Sequence, residues 1–262
     1  MGNYKLYRVD QAKKRLVIAT DIHHCHMVWH DTVSDDRMSR LCEVLNREYE
    51  KAPYDGVLAL GDYSLDHWAW NEGGSFLWNP PVSHTDLFVK KYLPQMPTAW
   101  YMIPGNHEQY GPETWERITG RPREYAVSYG NYLFLMLDTF GGDLDPDHNH
   151  DGCYTGLNVA FIREAMKEHP DKRVILCAHD LIINRESEEA RELIAEKPRI
   201  LCAFTGHTHR DNTLLLPSSW RNLPVFYSGD FSYNGGHGGQ RNWGYRILDL
   251  SGDGISTEYV RV

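Results

Sequence analysis

Five apolar runs in this chain each stop at a cluster of Asp, Asn or His, and this recurrence constrains the fold more than any other feature. Residues 99–103 end at Pro104-Gly105 and deliver Asn106, His107 and Glu108. A run of that length bounded by Pro-Gly reads as a buried strand ending in a sharp turn. Residues 15–20 read the same way and end in Asp21-Ile22-His23-His24-Cys25-His26. Residues 56–60 end in Gly61-Asp62, residues 173–178 in His179-Asp180, and residues 200–204 in Thr205-Gly206-His207-Thr208-His209. Open α/β sheets hold their ligands at the carboxyl ends of their strands, where all these groups would lie.

Between the first two runs, Met38, Leu41, Cys42, Leu45 and Tyr49 recur at helical spacing over 34–51. Strand, helix and strand of these lengths predict a parallel βαβ unit. Further helices are predicted over 85–92, 157–169 and 186–195, and a hairpin over 125–138 around Gly130-Asn131. Four short strands follow, over 213–216, 225–227, 245–250 and 256–261. No helical pattern interrupts them, so antiparallel pairing is predicted. The expected fold is α/β, with two face-to-face mixed β-sheets flanked by helices in αββα layers. No linker, repeat or low-complexity tract divides the 262 residues, so a single domain over 1–262 is expected. An aromatic insertion at 63–84 and an acidic loop at 139–155 would interrupt it.

A net charge of -9 argues against general attraction to nucleic acid or anionic membrane and leaves room for bound cations. The longest apolar run, 132–137, is too short to span a bilayer, and no signal-peptide core is read at the amino terminus. The five cysteines are an odd number without CxxC spacing, and Cys177 and Cys202 lie inside apolar runs. Buried thiols in a reducing compartment, the cytoplasm, are expected.

Histidine is the compositional outlier, with fourteen residues clustered where strands should end. Imidazole, carboxylate and amide oxygen without thiolate suit borderline-to-hard divalent ions such as Mn, Fe, Co, Ni or Zn. Seven candidate ligands, Asp21, His23, Asp62, Asn106, His179, His207 and His209, exceed one tetrahedral site. They suit two ions about 3.5–4 Å apart that share a carboxylate. The i, i+2 spacing of Asp21 and His23 would let both reach one ion. His207 and His209 have the same spacing, although a turn there could send them to different ions. The glycines before Asp62, Asn106 and His207 are read as permitting tight turns.

The ordered series D-x-H, G-D, G-N-H-E, a lone His and G-H-T-H over residues 17–209 resembles the calcineurin-like metallophosphoesterases. The resemblance implies that Asp21, His23 and His209 hold one metal ion, that Asn106, His179 and His207 hold a second, and that Asp62 bridges them. It implies that His107 faces the scissile phosphate and protonates or stabilises the leaving oxygen. The implied reaction is hydrolysis of a phosphate mono- or diester by a metal-bridging hydroxide, with the cations neutralising charge on the phosphoryl oxygens. Departures narrow the branch. Protein Ser/Thr phosphatases carry Arg-Gly after the second motif, where this chain has Tyr63-Ser64-Leu65-Asp66-His67. Purple acid phosphatases place a tyrosine ligand three residues past the bridging Asp and lack the first-motif His. Here Leu65 and His23 stand at those places. Asp180 follows His179 where many relatives have His or Pro, which loosens inference about substrate. The expected substrate is a small phosphoester such as a nucleotide or cyclic nucleotide, and the oligomeric state is left open. A non-catalytic scaffold with the same fold is the alternative, and loss of a ligand or of His107 would favour it; none is lost.

Other groups are read more plainly. His24, His26 and His30 are assigned to loop surface, with pocket lining as the alternative. Glu108 is expected to support a neighbour by hydrogen bonding. The aromatic stretch 63–84 is a lid, a substrate wall, packing or a subunit contact. The loop 139–155 reads as solvated and acidic rather than as a third metal site. Its Asp143-x-Asp145-x-Asp147 start resembles a calcium loop, but His148 stands where an EF-hand needs Gly. The glycine-rich 232–242 reads as flexible, since no helix start follows it.

Overall fold

The computed structural model describes residues 4–10, 12–26, 28–29, 32–67, 83–145, 151–232, 243–251 and 254–262. After a short strand β1 (Leu6–Arg8), the first predicted run forms β2 (Arg15–Ala19). A two-stranded ribbon, β3 (Val28–Trp29) and β4 (Thr32–Val33), leads into α1 (Ser34–Lys51). Asp35 and Asp36 in the first turn of α1 and Lys51 in its last complement the helix dipole. Met38, Leu41, Cys42 and Leu45 form its buried stripe. The chain then enters β5 (Val57–Ala59), which pairs parallel with β2 through Val17↔Val57, completing the βαβ unit.

The helix expected over 85–92 is instead three short pieces. Ser83 caps α2 (His84–Leu87), which continues as a π-helical turn (Phe88–Tyr92) and a 3-10 turn (Leu93–Gln95). The central run forms β6 (Trp100–Met102), parallel to β5. A further helix, α3 (Pro112–Thr119), escaped the sequence reading, although Pro112 in its first turn and Gly120 at φ 70° just after it are ordinary boundary signals. The hairpin forms as β7 (Tyr125–Tyr129) and β8 (Tyr132–Leu137). Next come α4 (Val159–Glu168), β9 (Arg173–Ala178), α5 (Glu188–Glu196) and β10 (Ile200–Thr205). The tail supplies β11 (Thr213–Leu215), β12 (Pro224–Tyr227), β13 (Gly244–Asp249) and β14 (Ser256–Arg261).

Two mixed sheets result, ordered β1-β7-β8-β9-β10-β12-β11 and β14-β13-β2-β5-β6. The tail is not wholly antiparallel as the sequence suggested. β12 lies parallel to β10, and the tail splits, with β11 and β12 joining the larger sheet and β13 and β14 the smaller. Turns without helical periodicity therefore do not fix strand direction once the chain changes sheets.

The strands bury both faces. In β2, Leu16 and Ile18 meet Phe134, Ile175 and Phe204 of the other sheet, while Val17 and Ala19 meet Met38 and Leu41 of α1. On the far side, Ile162, Ala165, Leu193 and Ile194 of α4 and α5 cover Leu133, Leu135 and Leu176. This gives the αββα layering. Each such aliphatic side chain, when fully buried, contributes about 1.5–3 kcal/mol over leaving it in water. Among the described residues, no helix is long and apolar enough to cross a membrane.

Candidate metal centre

The strand ends of both sheets converge on one site, with β2, β5 and β6 contributing from the smaller sheet and β9 and β10 from the larger. Three groups of side chains come close enough to hold an ion: Asp21, His23 and His209; His23, Asp62 and His107; and Asp62, His179 and His207. The Asp62 carboxylate joins them. Its Oδ2 lies 3.3 Å from His23 Nε2, 3.1 Å from His179 Nε2 and 3.6 Å from His107 Nε2. Asn106 Oδ1 lies 2.9 Å from His179 Nε2 and 3.0 Å from His207 Nδ1. His209 Nε2 is 3.3 Å from Asp21 Oδ1, so the turn at Thr208 sends His207 and His209 to different groups, the second of the two readings left open by their spacing.

The backbone reason differs from the strand alternation expected for Asp21 and His23. Both lie beyond the end of β2 with positive φ, 52° and 51°. Asp62, His207 and His209 share this left-handed conformation, at 56°, 60° and 55°. For a non-glycine residue it is disfavoured, with Asp and His among the better tolerated types. Two of the glycines serve space rather than turning. A Cβ on Gly105 would lie 2.1 Å from Asp62 Oδ1, and one on Gly206 would lie 2.4 Å from Asp21 Oδ2.

Neighbouring groups fix the rings. His179 Nδ1 donates to Leu60 O at 2.7 Å, and His23 Nδ1 pairs with Ser232 Oγ at 2.8 Å, leaving Nε2 of each facing the centre. Arg37 of α1 is buried and donates to the carbonyls of Ile22, His23 and Phe231. Glu108 supports the site as expected, accepting from the backbone N–H groups of Asp62, Tyr63, Ser64 and Gly105. Burial and the nearby Asp62 push its carboxyl up to about 8.

Asp151 is the residue the sequence reading missed. Placed within a solvated acidic loop, it reaches the site: its Oδ1 accepts from Asn106 Nδ2 at 3.1 Å and lies 3.2 Å from His107 Nδ1. Gly152 N also donates to Asn106 O at 2.7 Å, and Phe140 packs on the rings of His179 and His207. Charge repetition in the loop concealed this; the nearest signal was the Gly after Asp151. Asp147, His148 and His150 lie outside the described residues, as do His30, most of the aromatic stretch (68–82) and most of the glycine-rich loop (233–242). His26 is exposed as expected, but His24 is buried, which corrects its assignment to loop surface.

The electrostatics follow from carboxylates and imidazoles packed together in a buried cluster. Burial opposes ionisation of Asp62, but His179 and His107 outweigh it and hold the carboxyl well below its usual range. Burial likewise opposes ionisation of Asp21, and His209 with His179 brings it down to about 2. Burial would lower His179 and His209, yet Asp62 raises the first to about 10 and Asp21 raises the second to about 9. Burial dominates at His23, which falls to about 4. Asp21 Oδ1 is buried and finds no hydrogen-bond donor among the described residues, although two imidazole nitrogens lie within 3.9 Å. An oxygen so placed fits a cation better than it fits the protein's own donors.

Residues 14–211 match the calcineurin-like phosphoesterase family. The chain belongs to that family. It is accordingly a metal-dependent phosphoric ester hydrolase. Among solved structures, this phosphoesterase aligns with a purple acid phosphatase from yellow lupin (Lupinus luteus) seeds at 14% identity and a TM-score of 0.53, covering 94% of this chain and 51% of that one. The sulfate thiohydrolase SoxB of Thermus thermophilus, in complex with glycerol, aligns at 12% identity and 0.52, covering 94% and 56%. Both likenesses are of fold alone, and the chain spans about half of each protein. A conserved uncharacterized protein of Streptococcus pneumoniae TIGR4, described as a predicted phosphoesterase, aligns at 11% identity and 0.40, covering 94% and 88%. A search of curated proteins found no match. The site departs from an iron–tyrosinate centre: Leu65 is buried three residues past Asp62, and Tyr63 turns its hydroxyl to the carbonyls of Ala59 and Ile103.

Proposed function

We propose that the phosphoesterase holds two divalent cations, drawn from Mn, Fe, Zn, Co and Ni, and hydrolyses a small phosphate mono- or diester. Asp21, His23 and His209 would hold one ion, Asn106, His179 and His207 the other, and Asp62 both. The observation that carries this reading is the position of Asp62 Oδ2, shared between His23 on one side and His179 on the other. When bound, the cations neutralise the phosphoryl oxygens and acidify the attacking water.

The protein's own groups do the rest. His107 stands beside Asp62 with its backbone N–H on Asp62 Oδ1 at 3.1 Å, which sets its ring against the same rim. Its Nε2 is assigned the leaving-group oxygen: as the phosphorus–oxygen bond breaks, the ring gives up its proton there. Asp151 Oδ1 lies 3.2 Å from Nδ1 of the ring and accepts from the Asn106 amide, whose Oδ1 faces inward. It is a positioning residue. The acidic surface disfavours long nucleic acid, so a nucleotide or cyclic nucleotide is the better substrate class. Five cysteines, four of them buried, fit a reducing compartment such as the cytoplasm. The residues 1–262 are proposed to act as one domain.

The test is turnover of bis-p-nitrophenyl phosphate by wild type and Asp62→Asn after loading with each of the five metals. The wild type is expected to turn over with at least one metal and the variant with none; two equally inert proteins would sink the proposal. A rate panel of phosphomonoesters, cyclic nucleotides and dinucleotides then sets the substrate class.

A further inference from the structure

His107 and the carboxylate beside its ring come from different sheets. His107 sits in the loop after β6 of the smaller sheet, and Asp151, 3.2 Å from its Nδ1, sits in the loop after β8 of the larger one. Their separation therefore depends on how these two loops are fixed to each other. The Glu108 carboxylate ties the first loop only to its own sheet, through the N–H groups of Asp62, Tyr63, Ser64 and Gly105. Tyr110 does the same: its hydroxyl donates to Asp66 Oδ2 at 2.7 Å, and Asp66 also pairs with His84 N and Nδ1, each at 2.7 Å. The His84 ring meets His24 edge-on at 5.0 Å, and His24 Nδ1 is engaged by Ser34 Oγ of α1 at 2.7 Å.

Arg123 makes the crossing. It lies two residues before β7, and Asp138 lies one residue after β8, so the two meet at the open end of the hairpin. Arg123 Nε donates to Asp138 Oδ2 at 2.6 Å and Nη2 to Oδ1 at 3.2 Å, with the side chains 6% and 11% exposed. The remaining nitrogen, Nη1, reaches the other sheet's loop and donates to Glu108 O at 3.0 Å and Tyr110 O at 2.8 Å. A buried ion pair is weak evidence of stability, because desolvation offsets its attraction. What a forked pair supplies is direction: two bonds on one edge of a planar guanidinium aim its third nitrogen. The same carboxylate fixes the stem of the loop that carries Asp151. Asp138 Oδ1 accepts from Phe140 N at 3.1 Å, and a Cβ on Gly141 would lie 2.9 Å from Asp138 Oδ2. The far part of that loop reaches the first one through Gly152 N and Asn106 O, at 2.7 Å.

We propose that Arg123, aimed by Asp138, is a positioning residue for the leaving-group step. It sets the loop after β6 against the loop after β8 and so keeps the His107 ring beside Asp151. Arg123 touches none of the side chains grouped at the metal centre, and it acts through the two carbonyls that follow His107. The proposal rests on the reading of His107 as the group that protonates the leaving oxygen.

The experiment compares Arg123→Lys and Asp138→Asn with wild type on two ester series, alkyl phosphates and nitrophenyl phosphates, with metal content per chain measured on the same samples. Lysine keeps the charge but cannot hold Asp138 and two carbonyls in one plane. Arg123→Lys should lose about 10²-fold in kcat on alkyl esters, as for a displaced catalytic group, and only a few-fold on nitrophenyl esters, with metal content equal to wild type. Asp138→Asn should show the same pattern more weakly, and it stands in if circular dichroism shows that Arg123→Lys does not fold. In a His107→Ala background, Arg123→Lys should cost no further leaving-group dependence. Equal losses on both series, or the same added loss without His107, overturn the proposal while leaving His107 as the acid. Equal losses on both series in His107→Ala itself would instead remove the acid reading, and the proposal with it.

Discussion

His23 and His24 share a peptide bond and belong to two differently built polar clusters. The His23 side is assembled from the ends of five strands in two sheets, and five of its residues sit in left-handed backbone. The His24 side is assembled from side chains at the starts of α1 and α2 and in the loop after β5, and His24 itself is not left-handed. The first cluster is set by the backbone and the second by rotamers over a packed helix pair. The difference teaches where tolerance lies. Substitutions on the His23 side disturb chain path and chemistry together, whereas those on the His24 side can change one side chain at a time. Arg37 joins the two, donating to His23 O on one side and to Ser34 Oγ on the other.

The largest expected contrast is catalytic. Asp62→Asn should lower phosphodiester turnover on the order of 10⁴-fold, as for residues that act as a unit. His84→Gln should leave it within a few-fold, and a comparable loss in both would erase the distinction between the clusters. His107→Ala should cost about 10³-fold on esters with poor leaving groups and far less on nitrophenyl esters, which scarcely need a proton. Uniform losses would remove His107 from the acid role. Asp151→Asn should follow the same leaving-group pattern at about 10–100-fold, and a loss that ignores the leaving group would limit Asp151 to Asn106. Arg37→Ala leaves buried carbonyls unsatisfied at about 1–3 kcal/mol each. Its denaturant midpoint should fall, with weaker metal retention at the main centre; an unchanged midpoint would deny the link.

The smallest effect is titrimetric. His179 at about 10 and His209 at about 9 both lie above the ordinary 6.5, so in metal-free protein at pH 7 both are protonated. A cation needs the neutral rings, so loading should release protons, and affinity should climb as pH rises toward 9. Calorimetry in buffers of different ionisation enthalpy measures the release, and zero release at pH 7 would contradict these raised values.

Much of this was legible in the sequence, for physical reasons. Apolar runs that end at Asp21, Asp62, Asn106, His179 and His207 announce strands buried on both faces, and α1 follows directly from its stripe. The αββα layering follows from those runs. Three things were not legible. The direction of β12 depends on which sheet the chain joins, a non-local matter. Asp151 reaches His107 through tertiary folding of a loop whose composition says only that it is acidic. His24 and His84 are sixty residues apart with no shared motif, and only packing of α2 beside the start of α1 brings their rings together.

The left-handed residues at the main centre have a consequence for mutations far from it. Each holds its conformation at a cost of roughly 1–2 kcal/mol that the packed layers must cover. Leu58 lies between the sheets, within three to four residues of Gly61 and Asp62 on the same chain path. Truncating it weakens the support on which those turns depend. Leu58→Ala should therefore loosen metal retention at ordinary temperature as well as lower the melting temperature, so a change at a buried aliphatic residue is felt at the polar turns it supports.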